Sequence, residues 1–214
     1  MVLYLAAAVI GVAAIVYLVI HLAKSGSGNA ASGTSTPGSS ATAGGGAAAG
    51  QVYVLRQAAS VGKYPLNKPG ATLIASGLKG ANSNIIKKMA STGAGKPGKS
   101  VIGVYDMGPS TSLESSGYKG LMFIGYNGTF NPTKLMNLVQ SNLKSSRVVN
   151  AGPHGGKMVC GYDTSSGSEV SECVWATRTT FGTVGFFDGG HPAKISGAPK
   201  LALKVRAAVE ARAQ

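Results

Sequence analysis

The feature that most restricts this chain is its pair of cysteines. There are only two, and each sits on its own β-rich arm. The first arm runs Gly152-Pro-His-Gly-Gly-Lys-Met-Val-Cys160-Gly-Tyr. A polar Thr-Ser-Ser-Gly-Ser turn follows, and the second arm is Glu172-Cys173-Val-Trp175-Ala. Apolar runs on either side of a Ser/Gly loop are a hairpin signal. Facing residues on neighbouring strands bring their Cβ atoms within disulfide reach. A Cys160–Cys173 disulfide is therefore expected. The single Trp lies two residues past the second Cys and shares its face of the strand. It is expected to be buried beside the disulfide and covered by the last helix.

Two other stretches divide the chain. Val2 to Ile20 has no charged or strongly polar side chain and would be about 28 Å long as a helix, enough to span a bilayer. Tyr4 and Tyr17 lie near its ends, where amphipathic rings favour the interface. Met1 alone makes a poor signal-peptide n-region and Leu22-Ala23-Lys24 a poor cleavage site, which favours an uncleaved signal-anchor over 1–24. Ser25 to Gly50 is Gly, Ala, Ser and Thr with an isolated Asn29 and Pro37. It cannot bury enough surface to offset its chain entropy and reads as a flexible linker over 25–50. Residues 51–214 are long enough for one hydrophobic core.

Within that domain, Lys99 to Asp106 and Lys119 to Thr129 read as strands, and Pro109 to Gly117 as a polar loop between them. A helix is expected from about 82 to 91 with Asn82 or Ser83 as its cap, a second from Asn131-Pro132, and a last one from Lys200 to Ala213 opened by Pro199. The second buries Leu135, Leu138, Val139 and Asn142 or Leu143. Thr177 to Phe187 reads as a strand pair turning at Thr179–Gly182. The class expected is α+β: an N-terminal transmembrane helix, a flexible linker, then one domain with an antiparallel or mixed sheet and about three helices.

The net charge is +13, from 20 Lys and Arg against 7 Asp and Glu. Only Lys24 precedes residue 51, so the domain holds 19 basic against 7 acidic residues. That balance favours polyanions: nucleic acid, anionic head groups or acidic wall polymers. The basic residues are scattered, with Lys87-Lys88 the longest cluster, and no basic–aromatic interleaving marks a nucleic-acid groove. The candidate binding surface is Lys200, Lys204 and Arg206, off the apolar stripe of the last helix.

No catalytic, cofactor or metal set stands out. His154, His191 and Asp188 would make at most a weak metal site. Ser141-Asn-Leu-Lys144 lies in an amphipathic helix without supporting motifs, and Gly152-Pro-His-Gly-Gly lacks the Lys-Ser/Thr ending of a phosphate loop. The seven carboxylates are too scattered for a glycosidase pair. Asn127-Gly-Thr is a glycosylation sequence in a strand-turn.

Read in order, Ser60-Val-Gly-Lys-Tyr, Val101-Ile-Gly-Val-Tyr-Asp, Phe123-Ile-Gly-Tyr-Asn-Gly, Ala151-Gly-Pro-His-Gly-Gly-Lys-Met-Val-Cys160-Gly, Cys173-Val-Trp-Ala, Phe181-Gly-Thr-Val-Gly and Arg206-Ala-Ala-Val-Glu210 form a series. The series resembles a group of actinobacterial, Streptomyces-type proteins that are exported, anchored by a single membrane pass and carry a disulfide-stapled C-terminal domain. Where such relatives often have an acidic residue after Trp-Ala, this chain has Thr177. The resemblance implies topology and the disulfide, and no activity.

The expected function is a non-catalytic, membrane-tethered envelope domain that binds an anionic wall polymer or a partner protein. Lys24 alone would put the domain in the cytoplasm by the positive-inside rule; the paired cysteines put it outside. Two alternatives stand beside this reading. One is an envelope enzyme with a dispersed site. The other is a cytoplasm-facing basic domain that tethers nucleic acid or a partner.

Overall fold

The structure, a computed structural model, describes residues 51–106, 119–164, 169–188, 191–192 and 194–214. The stretches read as membrane anchor, linker and polar loop lie outside the described residues.

Chain order is as follows. Short strands β1 (Tyr53–Leu55), β2 (Ser60–Val61) and β3 (Tyr64–Pro65) lead into helix α1 (Lys68–Ser91) and the long strands β4 (Gly95–Asp106) and β5 (Lys119–Phe130). Helix α2 (Pro132–Gln140) is followed by β6 (Lys144–Val149), β7 (Lys157–Asp163), β8 (Val170–Ala176), β9 (Thr180–Asp188) and β10 (His191–Pro192). Helix α3 (Ala198–Val209) and β11 (Glu210–Arg212) close the chain. Six strands form an antiparallel sheet in the order β4-β5-β9-β8-β7-β6, and β10 adds to β9. The chain crosses by way of α2 to the far edge and returns strand by strand, so β9 zips against β5 last along the sequence.

Side-chain alternation along these strands makes two cores. One face carries Val104, Met122, Ile124, Val159, Val174 and Phe181, covered by α1 and α2. The other carries Tyr105, Phe123, Cys160, Cys173, Trp175 and Phe186, covered by α3 with Leu55 and Val61. Cys160 and Cys173 face each other in register and are bonded, with Cα atoms 4.1 Å apart, the close spacing of a non-hydrogen-bonded antiparallel pair. Trp175 is fully buried on that face, stacked on Phe123 at 5.6 Å between ring centroids. Its cross-strand neighbour is Gly182, where a Cβ would come within 2.5 Å of the indole; only glycine lets the ring lie flat there.

The cysteines are 13 positions apart, and closing a loop of that size contributes about 3 kcal/mol. Cys160→Ser with Cys173→Ser should lower denaturant stability by about that amount. Alkylation before reduction should find no free thiol. Two alkylatable thiols in protein taken from cells would contradict the bond and the oxidising compartment together.

The expected class needs correction. The described part is mainly sheet, about 45% strand against 30% helix, and wholly antiparallel. No described helix is long and apolar enough to cross a membrane. The longest, α1, carries Lys68, Lys79, Lys87 and Lys88 and buries a single stripe: Ala71, Ile74, Leu78, Ile85 and Met89. It also starts earlier than the expected residue 82. Asn67 is its cap, accepting from Gly70 N at 2.9 Å, while the same side chain donates to Asp106 at 2.7 Å. α2 begins at its Asn131 cap as read, but Met136 is buried with Leu135 and Val139, and Leu138 only partly. The expected turn at Thr179–Gly182 is instead largely the start of β9, which runs unbroken from Thr180 to Asp188. The reversal falls at Thr177, whose hydroxyl accepts from the Thr179 and Thr180 amides, a hydroxyl-to-backbone turn.

Candidate functional site

Charge is the most informative place to start. Four carboxylates, those of Asp106, Asp163, Glu172 and Glu210, are buried. Two more are paired at the surface: Asp188 with Lys119 at 3.0 Å and Glu169 with Lys144 at 2.7 Å. The seventh, Glu114, lies outside the described residues. Every described Lys and Arg is exposed except Lys88 and Arg206. Among the described residues, the exterior therefore presents cations with no unpaired carboxylate, and it is more basic than the net charge conveys.

Lys200 and Lys204 stand exposed on α3, one turn apart. Arg206, expected with them, does not belong to that surface, being only 2% exposed. Its Nε donates to Glu210 Oε2 at 2.6 Å and its Nη1 to the Ala151 carbonyl at 2.5 Å. The physical reason is the aim of the helix. The buried face is Ala198, Ala202, Val205, Arg206 and Val209, with Leu201 only partly covered. The other basic residues are spread over both sides of the sheet. Lys68, Lys79, Lys87 and Lys134 are on α1 and α2, and Lys96 and Lys99 on β4.

Glu210 is the hub of the buried polar group. Besides Arg206 it receives His154 Nδ1 at 2.8 Å, and the Thr180 hydroxyl donates to its other oxygen. His154 stacks on Tyr53 at 4.5 Å between centroids. The loop carrying it needs left-handed backbone at Gly152, Gly155 and Gly156, which glycine adopts without strain. This arrangement is a latch. It ties β1, the 150–156 loop and the end of α3 together around one carboxylate. Side chains complete the hold on β1. Thr179 Oγ1 accepts from Tyr53 N at 3.1 Å and donates to Tyr53 O at 2.8 Å, and Asn127 bonds both Leu55 N at 2.6 Å and Leu55 O at 3.1 Å. The Asn127 carboxamide is thus occupied, which leaves the Asn-Gly-Thr sequence without a free acceptor side chain.

His154, on the 150–156 loop, meets Glu210 beside Thr180 at the start of β9, and Asp188, paired in register with His191, is at its end. At 3.3 Å per residue those ends are about 26 Å apart, so His154, His191 and Asp188 do not come together in one pocket. Among the described residues no group of three potential metal ligands occurs. The Thr180 hydroxyl points at Glu210, away from service as a nucleophile activated by the imidazole.

A second buried acid lies under α2. Glu172, fully buried on β8, accepts from Thr183, and its other oxygen has no hydrogen-bond partner. Burial above all, then the charge of Asp163, pushes its carboxyl up to about 8, against the opposing pull of the Thr183 hydroxyl. It is a neutral acid at neutral pH, with no path to a substrate.

Two clefts open on the surface. One of about 210 Å³ lies between Lys63, Tyr64, Lys119, Phe187 and Leu201. The other, about 470 Å³, runs between Val54–Gln57 and Lys99–Ile102 with Asn127 at its floor. No family model, curated protein or solved structure matches the chain.

Proposed function

We propose that this is a non-catalytic domain of the cell envelope, held at the membrane by the apolar stretch near its N-terminus, that binds an anionic wall polymer. The observation that carries the reading is the exterior, where described lysines and arginines stand exposed while the described carboxylates are buried or ion-paired. A polymer with a charge on every repeat can meet such a surface anywhere, so scattered lysines suffice where a small ligand would need a built pocket. The buried disulfide supports an oxidising compartment, and the actinobacterial resemblance supports export. Glu172, Glu210 and Arg206 are shut away from solvent and serve the fold, which supports a binding role over an enzymatic one.

The full chain, kept in mild detergent, should co-sediment with purified wall material at low ionic strength. It should be released as salt rises, because exposed charges are screened beyond about 8 Å at physiological salt. Lys200→Glu with Lys204→Glu should weaken binding, and Lys79→Glu with Lys87→Glu on the opposite side of the sheet should weaken it to a similar extent. Absence of binding at low salt, or binding indifferent to salt, would remove the polymer reading.

A further inference from the structure

We infer that the open edge of β4 is a docking site for a short, acidic, extended peptide segment of a partner protein, which pairs with it as an added strand. This goes beyond polymer adhesion and does not rest on it.

β4 is the outermost strand of the sheet, paired with β5 and otherwise bridged only between Tyr105 and Leu66. Two of its carbonyls reveal which residues turn their backbone outward. Ile102 O accepts from the Gln57 side-chain amide at 2.7 Å, and Val104 O from Asn67 N at 2.8 Å. In an antiparallel strand the N–H and C=O of one residue point the same way. The Ile102 N–H therefore also faces away from β5. Ser100, two residues back in an unbroken register, does the same.

The available stretch is short, and its limits are visible. A register shift between Pro97 and Ser100 ends it on one side, where proline also lacks a donor. On the other side the Leu66–Tyr105 bridge and Asn67 cover the edge. What remains is Ser100 to Ile102, about 10 Å of strand. Its far wall is Val54–Gln57. The outward backbone of that wall is already satisfied at Leu55 by Asn127, so an incoming strand would pair with β4 alone. Gln57 is exposed, and its carboxamide occupies the place of one peptide group on the edge. It is a single side chain that an incoming backbone can displace.

Charge selects the occupant. Arg56 and Lys99 line the groove, both exposed, and none of its lining residues is acidic. Lys96 stands just beyond the register shift. Main-chain bonds to a sheet edge supply affinity without sequence preference, and flanking groups supply the choice. Here the flanking groups favour carboxylates.

The probe is a fluorescein-labelled peptide, acetyl-Glu-Val-Glu-Val-Glu-amide, titrated against the full chain in mild detergent and followed by fluorescence polarisation. Its control is the same peptide N-methylated on alternate backbone nitrogens, which keeps the charges and removes the donors on one edge. Two backbone bonds lost should weaken the control by roughly tenfold or more. Arg56→Glu with Lys99→Glu should abolish binding of the parent peptide. Gln57→Ala, which removes the competing amide, should tighten it. Equal binding of parent and control, or no binding of the parent, overturns the strand-pairing site. Either result leaves the salt-dependent polymer binding to stand or fall on its own assay.

Discussion

Arg206→Ala is expected to destabilise the domain by about 3–5 kcal/mol. The substitution deletes a guanidinium from a site where Glu210 is fully buried and leaves that carboxylate with only His154 and Thr180. A buried charge stripped of its partner loses its compensation while the desolvation cost stays. The Ala151 carbonyl loses its donor at the same time. Glu210→Ala should cost a similar amount by stranding the arginine. The double change Arg206→Met with Glu210→Leu should recover most of the loss, since apolar groups of similar volume often replace a buried ion pair without penalty. Chemical denaturation of the three variants provides the test. A loss under about 1 kcal/mol for Arg206→Ala, the range of an exposed pair, would mean the latch is open in solution. Hydrogen exchange should show β11 loosening first, because Glu210 begins that strand and this group is what anchors it to the body.

Glu172 sets the second large effect. Its carboxyl is raised to about 8 in the folded protein, first by burial and then by Asp163. In the unfolded chain it ionises at an ordinary value near 4.5. Between those values the folded state keeps a proton that the unfolded state has released. Stability therefore falls as pH rises from about 4.5, and the loss levels off above about 8. At about 1.4 kcal/mol per unit the full span is on the order of 5 kcal/mol. Glu172→Gln keeps an acceptor for Thr183 and cannot ionise. The difference in stability between the native chain and this variant should change with pH over that window, with the variant ahead at pH 9. Subtracting one profile from the other cancels the remaining titrating groups. A difference that stays constant from pH 5 to pH 9 would show that Glu172 titrates as an ordinary surface acid.

The neutral Glu172 and the latched Glu210 also explain how a domain with so few acids can present a uniform surface. Four of its carboxylates are used inside, where Glu172 meets a hydroxyl, Glu210 a hydroxyl and a cation, and Asp106 the Asn67 amide, and the lysines are left facing water. A basic exterior of this kind comes from where the acids are placed as much as from how many bases there are.

Several features were legible in the residues because local pattern decides them. The paired arms of β7 and β8 could be read from alternation, and Cys160, Cys173 and Trp175 fell on one face because strand side chains repeat every second position. Asn131-Pro132 marked the start of α2 because a cap and a first-turn proline are local chemistry. The first half of α1 was hidden. Gly70, Gly77 and Gly80 with Thr72 and Ser76 lower its helix propensity, and contact of Ile74 and Leu78 with the sheet overrides that. The face of α3 was equally hidden. In Leu201-Ala-Leu-Lys-Val-Arg206 the apolar residues do not single out one stripe, and a count from Leu201 puts Arg206 in water.

Tertiary contacts alone decided the end of the chain. Val209-Glu-Ala-Arg-Ala213 is made of helix-compatible residues, and nothing local stops α3 before Ala213. Yet the helix ends at Val209, and Glu210 to Arg212 run extended against Tyr53 to Leu55. The partner strand lies at the other end of the domain in sequence, and the groups that hold Glu210 come from two further segments, at residues 154 and 180, and from Arg206 one turn back on the helix. The residues themselves determined the disulfide, the strands around it and the excess of positive charge. Which acids are buried, which arginine leaves the surface and where the last helix stops depend on partners that only the folded chain brings together.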